Sequence, residues 1–160
     1  MTSLDDTALA FVMMAHRIVW CTVATVNVSG HATTRVLHPI WAWEGGTLTG
    51  WIATSPQSPK AKDLAAHPQV SLTYWATNHD TCTADCDAEW DDAPALRRAG
   101  WDRFKTGPAP VGYDPSIIPT WTGPEAPTFG MLRLHPYRLR VMPGSLMMTG
   151  TGELLRWRRA

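Results

Sequence analysis

Two parts of this chain carry residues suited to hold an anion. One is Arg35, a lone charge in the apolar and hydroxyl-rich run ATTRVLHPIWAW. The other is TSPQSPKAKDLAAHPQVSL, which begins at Thr54 and brings Thr54, Ser55, Ser58 and Lys60 to the join between a strand-like run and a short helix. The first turn of a helix presents unbonded N–H groups and a partial positive charge, an arrangement that binds phosphate. Pro59 removes one donor, Lys60 and Ala61 keep theirs, the hydroxyls of Thr54 and Ser58 can add more, and Lys60 supplies a full charge. Helix capping by Ser58, with Lys60 and Lys62 pointing at water, explains the same residues. Arg35 weighs on the anion side. Thr33, Arg35, Leu37 and Pro39 alternate onto one strand face. A guanidinium facing even part of a core needs an anionic partner. No carboxylate lies near it in sequence, and a phosphate would suit the two-pronged guanidinium.

The elements that must position these groups are legible in outline. Ser3 followed by Asp6 reads as a helix start, and Leu4, Leu9, Val12, Met13 and His16 recur at helical spacing, which predicts a helix from about 4 to 16. RIVWCTVATVNVSGH then turns to β-branched and aromatic residues and ends at Ser29-Gly30. ATTRVLHPIWAWEGG reads as one return strand and TLTGWIAT as a third, giving a meander of consecutive hairpins. Ser58 and Pro59 suit the N-cap and first position of a short helix over KAKDLAAH, which Pro68 ends. QVSLTYW and DTCTADCDAEW read as further strands. Asp92 is placed to cap a helix over APALRRAGWDRF, with Leu96, Trp101 and Phe104 on its apolar face. TFGMLRLHPYRLRVM is a long strand and GELLRWRR a short last one. Between Pro108 and Pro127 lies a proline-rich stretch whose Tyr113, Ile117, Ile118 and Trp121 argue for a packed flap over a groove. Strands dominate, in a number that suits a small barrel with helices over its ends.

Composition bounds the function. The chain has 160 residues, enough for one domain spanning 1–160, with 14 basic and 14 acidic side chains and no net charge. That balance argues against nucleic acid or a membrane surface as partner. The charges are segregated, however. Asp85, Asp87, Glu89, Asp91 and Asp92 cluster, and Arg133, Arg138, Arg140, Arg156, Arg158 and Arg159 fall late, as solvated faces, a contact between copies, or a polyanion site. Three cysteines form no disulfide framework. On a strand Cys82 and Cys86 would lie roughly 13 Å apart, too far to bridge, so free thiols and no metal site are expected. With no basic-then-apolar leader and no apolar run of roughly 20 residues, the expected location is the cytoplasm. The hydrolase elbow, the zinc-protease helix and the phosphate-binding glycine fingerprints are absent.

TTRVLHPIW, followed some ten residues later by TLTGWIATSPQSPKAKDLAAHPQVSLTYW, resembles the flavin-binding core of the pyridoxamine 5′-phosphate oxidase-like superfamily. The similarity runs from about Val19 to Trp75, with weaker agreement through DAEWDDAPALRRAGWDRF. It implies a mainly β fold, a six- or seven-stranded antiparallel split barrel with short flanking helices. It also implies a homodimer binding FMN in a groove between subunits. Carried over by position, Arg35 and Lys60 would hold the phosphate with Ser58 assisting. Val36, Leu37, Thr54 and Ser55 would line the isoalloxazine and ribityl chain. Pro59 stands where many members carry an arginine, and GELLRWRRA only faintly echoes the C-terminal motif of vitamin B6 oxidation, so that substrate is not expected. The expected activity is a flavin-dependent oxidoreductase acting on a small molecule, with Tyr113 and Trp121 toward the substrate. Related members use a deazaflavin or hold haem, which leaves a deazaflavin-dependent reductase, or a non-catalytic flavin or haem carrier, as alternatives. His38 and His79 are the histidines to examine as acids or haem ligands. Trp41, Trp43, Trp51 and Trp75 suit core or interface packing.

Overall fold

The computed structural model describes residues 2–160. Helix α1, Leu4–Ile18, starts where Ser3 accepts the Asp6 amide at 3.1 Å and donates to its carboxylate at 2.6 Å, so the cap is reciprocal. The helix buries a stripe other than the one its large residues suggest. Thr7, Ala8, Phe11 and Ala15 face inward, while Leu9 and Met13 are 52% and 75% exposed. Small residues let the helix lie close on the sheet, and Phe11 fills the depth, edge-on to Trp41 and Tyr74.

Eight strands follow, more than the six or seven expected: β1 Cys21–Val26, β2 Ala32–Leu37, β3 Pro39–Glu44, β4 Thr47–Thr54, β5 Gln69–Trp75, β6 Thr81–Trp90, β7 Gly130–Met142 and β8 Leu155–Arg158. All pairings are antiparallel. Their order, β2-β1-β5-β6-β7-β4-β3 with β8 beside β7, corrects the expected meander. The segment from 32 to 44 is two strands, not one. β2 pairs with β1 and β3 pairs with β4, so β2 and β3 end the sheet on opposite sides although only His38 separates them in the chain. One residue spans two peptide units, about 7 Å, so the sheet must roll until its ends meet. The result is a mainly β, antiparallel split barrel whose seam runs between two strands that do not pair with each other.

Helix α2, Pro59–Ala66, covers β1; α3, Pro94–Thr106, packs on β4 and β7; and α4, Gly144–Thr149, precedes β8. Asp92 does not cap α3: the N-cap position is Ala93, with no side-chain bond, and Leu96 is exposed. One core fills the barrel under α1, where the Trp41 indole donates to the Tyr74 hydroxyl at 2.8 Å. A second joins α3 to the stretch from 108 to 127 through Trp101, Phe104, Val111, Trp121 and Phe129. Cys21, Cys82 and Cys86 are buried free thiols.

The segregated charges meet across β6 and β7. Asp85 pairs with Arg138, Asp87 with Arg159, Glu89 with Arg133 and His135, and Asp91 with Arg133. The acidic cluster is therefore largely neutralised within the chain.

Candidate functional site

Arg35 faces inward from β2, opposite Val23 of β1. Its Nη1 donates to the Val23 carbonyl at 3.2 Å, the Thr25 hydroxyl at 2.8 Å and the Thr33 carbonyl at 3.2 Å, and its Nη2 donates to the Thr33 hydroxyl at 2.9 Å. A carboxylate does lie near it in space. Asp63 of α2 approaches Nη2 at 3.7 Å and accepts from Thr25 and Thr33 at 2.8 and 3.1 Å. The anionic partner expected for Arg35 is thus found in part within the chain, since Asp63 supplies part of the countercharge. Burial lowers the guanidinium's pKa and Asp63 works against that shift.

Lys60 is different. It is 8% exposed and makes no ion pair among the described residues. Its ammonium donates to the Ser58 hydroxyl at 2.6 Å. Burial lowers its pKa, and the Arg35 guanidinium lowers it further. The two cations thus repel one another, one sharing Asp63 and the other with no carboxylate at ion-pair distance among the described residues. Ser58 occupies the N-cap of α2 but does not cap it. Its hydroxyl donates to the Ser55 carbonyl at 2.7 Å and is turned toward Lys60. The Ala61 amide is already bonded to the Ser58 carbonyl at 2.9 Å, so it is not the unbonded donor expected from the sequence. The cation pair, not the helix end alone, makes this place attractive to an anion.

A groove of about 490 Å³ opens at the seam, lined on one side by Val36, Leu37, His38 and Thr54. Pro110, Tyr113, Ile117, Ile118 and Trp121 form the other wall. Their segment is packed, with a 3-10 turn at Pro115–Ile117. Trp121 is anchored by its indole N–H to the Thr128 carbonyl at 2.9 Å, and Arg97 of α3 donates to the carbonyls of Ala126 and Phe129. Thr54 links the two places: it lines the groove and is followed directly by Ser55 in the turn that carries Ser58 and Lys60. Burial pushes the Tyr113 phenol up to about 12, so it keeps its proton at neutral pH.

Sequence reasoning named His38 but missed three contributors, Asp63, Val19 and Trp20. Asp63 lies three residues after Lys60 on one helix, a spacing that puts both on one face, so its signal was present. His38 lines the groove with Nε2 buried and unpartnered among the described residues. Burial lowers its pKa. His79, by contrast, packs against Trp75, away from the groove. Val19 and Trp20 also line it. Val19 has φ 73° and ψ −62°, and Trp20 N–H bonds back to Ile18 at 2.9 Å. That is a γ-turn of the rare, strained hand, occupied by a β-branched residue for which positive φ is a true outlier. It ends α1 and leaves Trp20 59% exposed beside His38.

No family model matches the chain, and no curated protein matches its sequence. Solved structures do match. A Clostridium acetobutylicum protein related to general stress protein 26, described as of the pyridoxinephosphate oxidase family, superposes with a TM-score of 0.70 at 11% identity, over 96% of this chain and 95% of that one. A pyridoxamine 5′-phosphate oxidase-related, FMN-binding protein from Nostoc punctiforme gives 0.67 at 19% identity, over 98% and 91%. A heme-binding protein from Mycobacterium smegmatis gives 0.57 at 16% identity, over 99% of this chain and 59% of that one. The chain has the split-barrel fold of these pyridoxamine 5′-phosphate oxidase-related structures.

Proposed function

We propose, from this shared fold and the cation pair inside it, that the protein binds FMN and acts as a flavin-dependent oxidoreductase on a small molecule. The observation that carries the reading is Lys60, a buried ammonium with no carboxylate of its own, held beside a second cation. A phosphate dianion satisfies both charges, with Ser58 adding a hydroxyl donor. The groove fits the rest of such a molecule, since about 490 Å³ lies within the range of cofactor sites.

In this reading Arg35, Ser58 and Lys60 anchor the phosphate. Ser55 and Thr54 border the ribityl chain, and Val36 and Leu37 give the ring an apolar wall. Bound flavin supplies the redox chemistry. This chain's residues orient the flavin and keep water out, the latter through the wall from Pro110 to Trp121. Tyr113 offers a phenolic proton as a hydrogen-bond donor, and Trp121 a flat apolar surface to the substrate. A homodimer belongs to the same proposal. Val26, Val36 and Trp75 expose apolar surface on β1, β2 and β5, a sheet face that a second copy would cover.

The test compares FMN with riboflavin, which lacks the phosphate, by quenching of flavin fluorescence. FMN binds at least tenfold tighter in this reading. Equal affinity, or no binding of FMN or a deazaflavin by the colourless protein, overturns it. A haem-carrier reading is favoured by one feature, the unpartnered His38 nitrogen at the groove. A haem spectrum lost in His38→Ala, with no flavin uptake, would replace the first reading.

A further inference from the structure

On the outer face of β7 and β8 the strand register sets like charges directly opposite one another. Arg138 faces Arg158 and Arg140 faces Arg156, and all four side chains point to solvent. Opposed side chains in an antiparallel pair stand about 4.5–5.5 Å apart at Cβ, where like charges are destabilising. Elsewhere on β7, the pairing with β6 matches acid to base at Glu89–Arg133. Here one carboxylate, Asp85, serves four guanidiniums, and it is taken by Arg138. Arg140, Arg156 and Arg158 make no ion pair among the described residues. Glu153, three residues before Arg156, pairs with none of them.

These arginines do not form a flat stripe. They line a cleft of about 510 Å³ together with Asp85, whose carboxylate Arg138 holds, and the hydroxyls of Ser71 and Thr83, which lie on the adjoining β5 and β6. We infer that this cleft is a second anion-binding site, for a small molecule bearing two or more phosphate or carboxylate groups. The register sets the spacing. The Arg138–Arg158 and Arg140–Arg156 rows are two residues apart along β7, roughly 6.6 Å at about 3.3 Å per residue, so each row takes one anionic group. Arginine forks suit both groups, and the hydroxyls can donate to the same oxygens. A second copy is a poor occupant. The acidic residues outside ion pairs (Asp5, Asp6, Glu44, Asp92, Asp102 and Glu153) are scattered over the chain. None of its residues belongs to the Arg35–Lys60 pair or the seam groove.

Calorimetric titration with inorganic tripolyphosphate, orthophosphate and a short single-stranded oligonucleotide at about 150 mM salt tests this. Salt at that level screens exposed charges more than about 8 Å apart. Tripolyphosphate should bind at least tenfold tighter than orthophosphate, the double variant Arg140→Gln/Arg156→Gln should lose at least tenfold, and Lys60→Met should keep the binding. Without ligand the double variant should melt roughly 1–3 °C higher, because an opposed like-charge pair is relieved. A solvated, ligand-free face predicts neither the loss nor the preference for tripolyphosphate. No binding, equal binding of the two phosphates, unchanged binding in the double variant, or tighter binding of the oligonucleotide each overturns the inference. Loss of tripolyphosphate binding in Lys60→Met alone would assign the ion to the other site and overturn it too.

Discussion

Replacing Lys60 by methionine should move stability and cofactor binding in opposite directions. In the free protein Lys60 is 8% exposed, and its ammonium bonds to the Ser58 hydroxyl at 2.6 Å and is repelled by Arg35. Methionine has nearly the same length and removes a desolvated charge, so the cofactor-free variant should melt at or above the parent's temperature. In the complex the lost contact is a charged hydrogen bond to phosphate, about 1.5–3 kcal/mol, or roughly 10- to 150-fold in Kd. FMN titrations of both proteins give the second number, and thermal melts with and without FMN give the first. The pH dependence adds a third readout. Because the folded pKa of Lys60 is lowered, the unfolded chain binds its proton more readily. Stability of the free parent should therefore rise with pH as Lys60 loses its proton, from its folded pKa up toward the ordinary value of 10.5. The Lys60→Met variant lacks that rise. A variant that melts lower without cofactor while binding FMN as the parent does would show that Lys60 is a structural residue, and the anion argument would fail.

Three other outcomes follow from the geometry. Val19→Gly should relieve the positive φ of 73° and stabilise the free protein by about 1 kcal/mol, while weakening flavin binding because Trp20 is less firmly held; urea unfolding and FMN titration read the two effects. Gly112→Ala should loosen the groove wall, since a Cβ there would stand 1.9 Å from the Gly107 carbonyl oxygen. Faster proteolysis between 107 and 121 with an intact barrel is the expected result. His16 and His38 both have pKa values lowered by burial, so the unfolded chain takes up protons first, and stability should fall as pH drops below about 6.5. His38→Gln should flatten that loss between pH 7 and 5 in urea midpoints, and an unchanged slope would contradict the buried, neutral assignment.

The sequence disclosed most strands, because alternation in QVSLTYW and DTCTADCDAEW follows a sheet with one buried face. It hid the connectivity. Nothing local to TTRVLHPIW tells that Leu37 and Pro39 belong to opposite ends of the sheet, since that depends on which distant strands each one pairs with. For the inner stripe of α1, hydrophobicity favours Leu9 and Met13, whereas close packing selects Ala8 and Ala15. Of the site, Arg35, Ser58 and Lys60 could be named from residue type and spacing. The contribution of Asp63 depends on α2 folding back over β1, and that of Val19 on a backbone angle that no residue type announces.

The seam has a consequence for what can enter it. At residue 38 the gap is fixed by two peptide bonds and cannot widen. Away from that point β2 and β3 share no ladder, so parting them breaks no backbone hydrogen bond between them. The opening should therefore behave like a letterbox fastened at one end. A flat plate should pass it edge-first, and anything thick should be refused near the fastening. Lengthening the chain by two residues beside His38 would undo the fastening, and bulkier guests would then be accepted while planar ones lost their advantage.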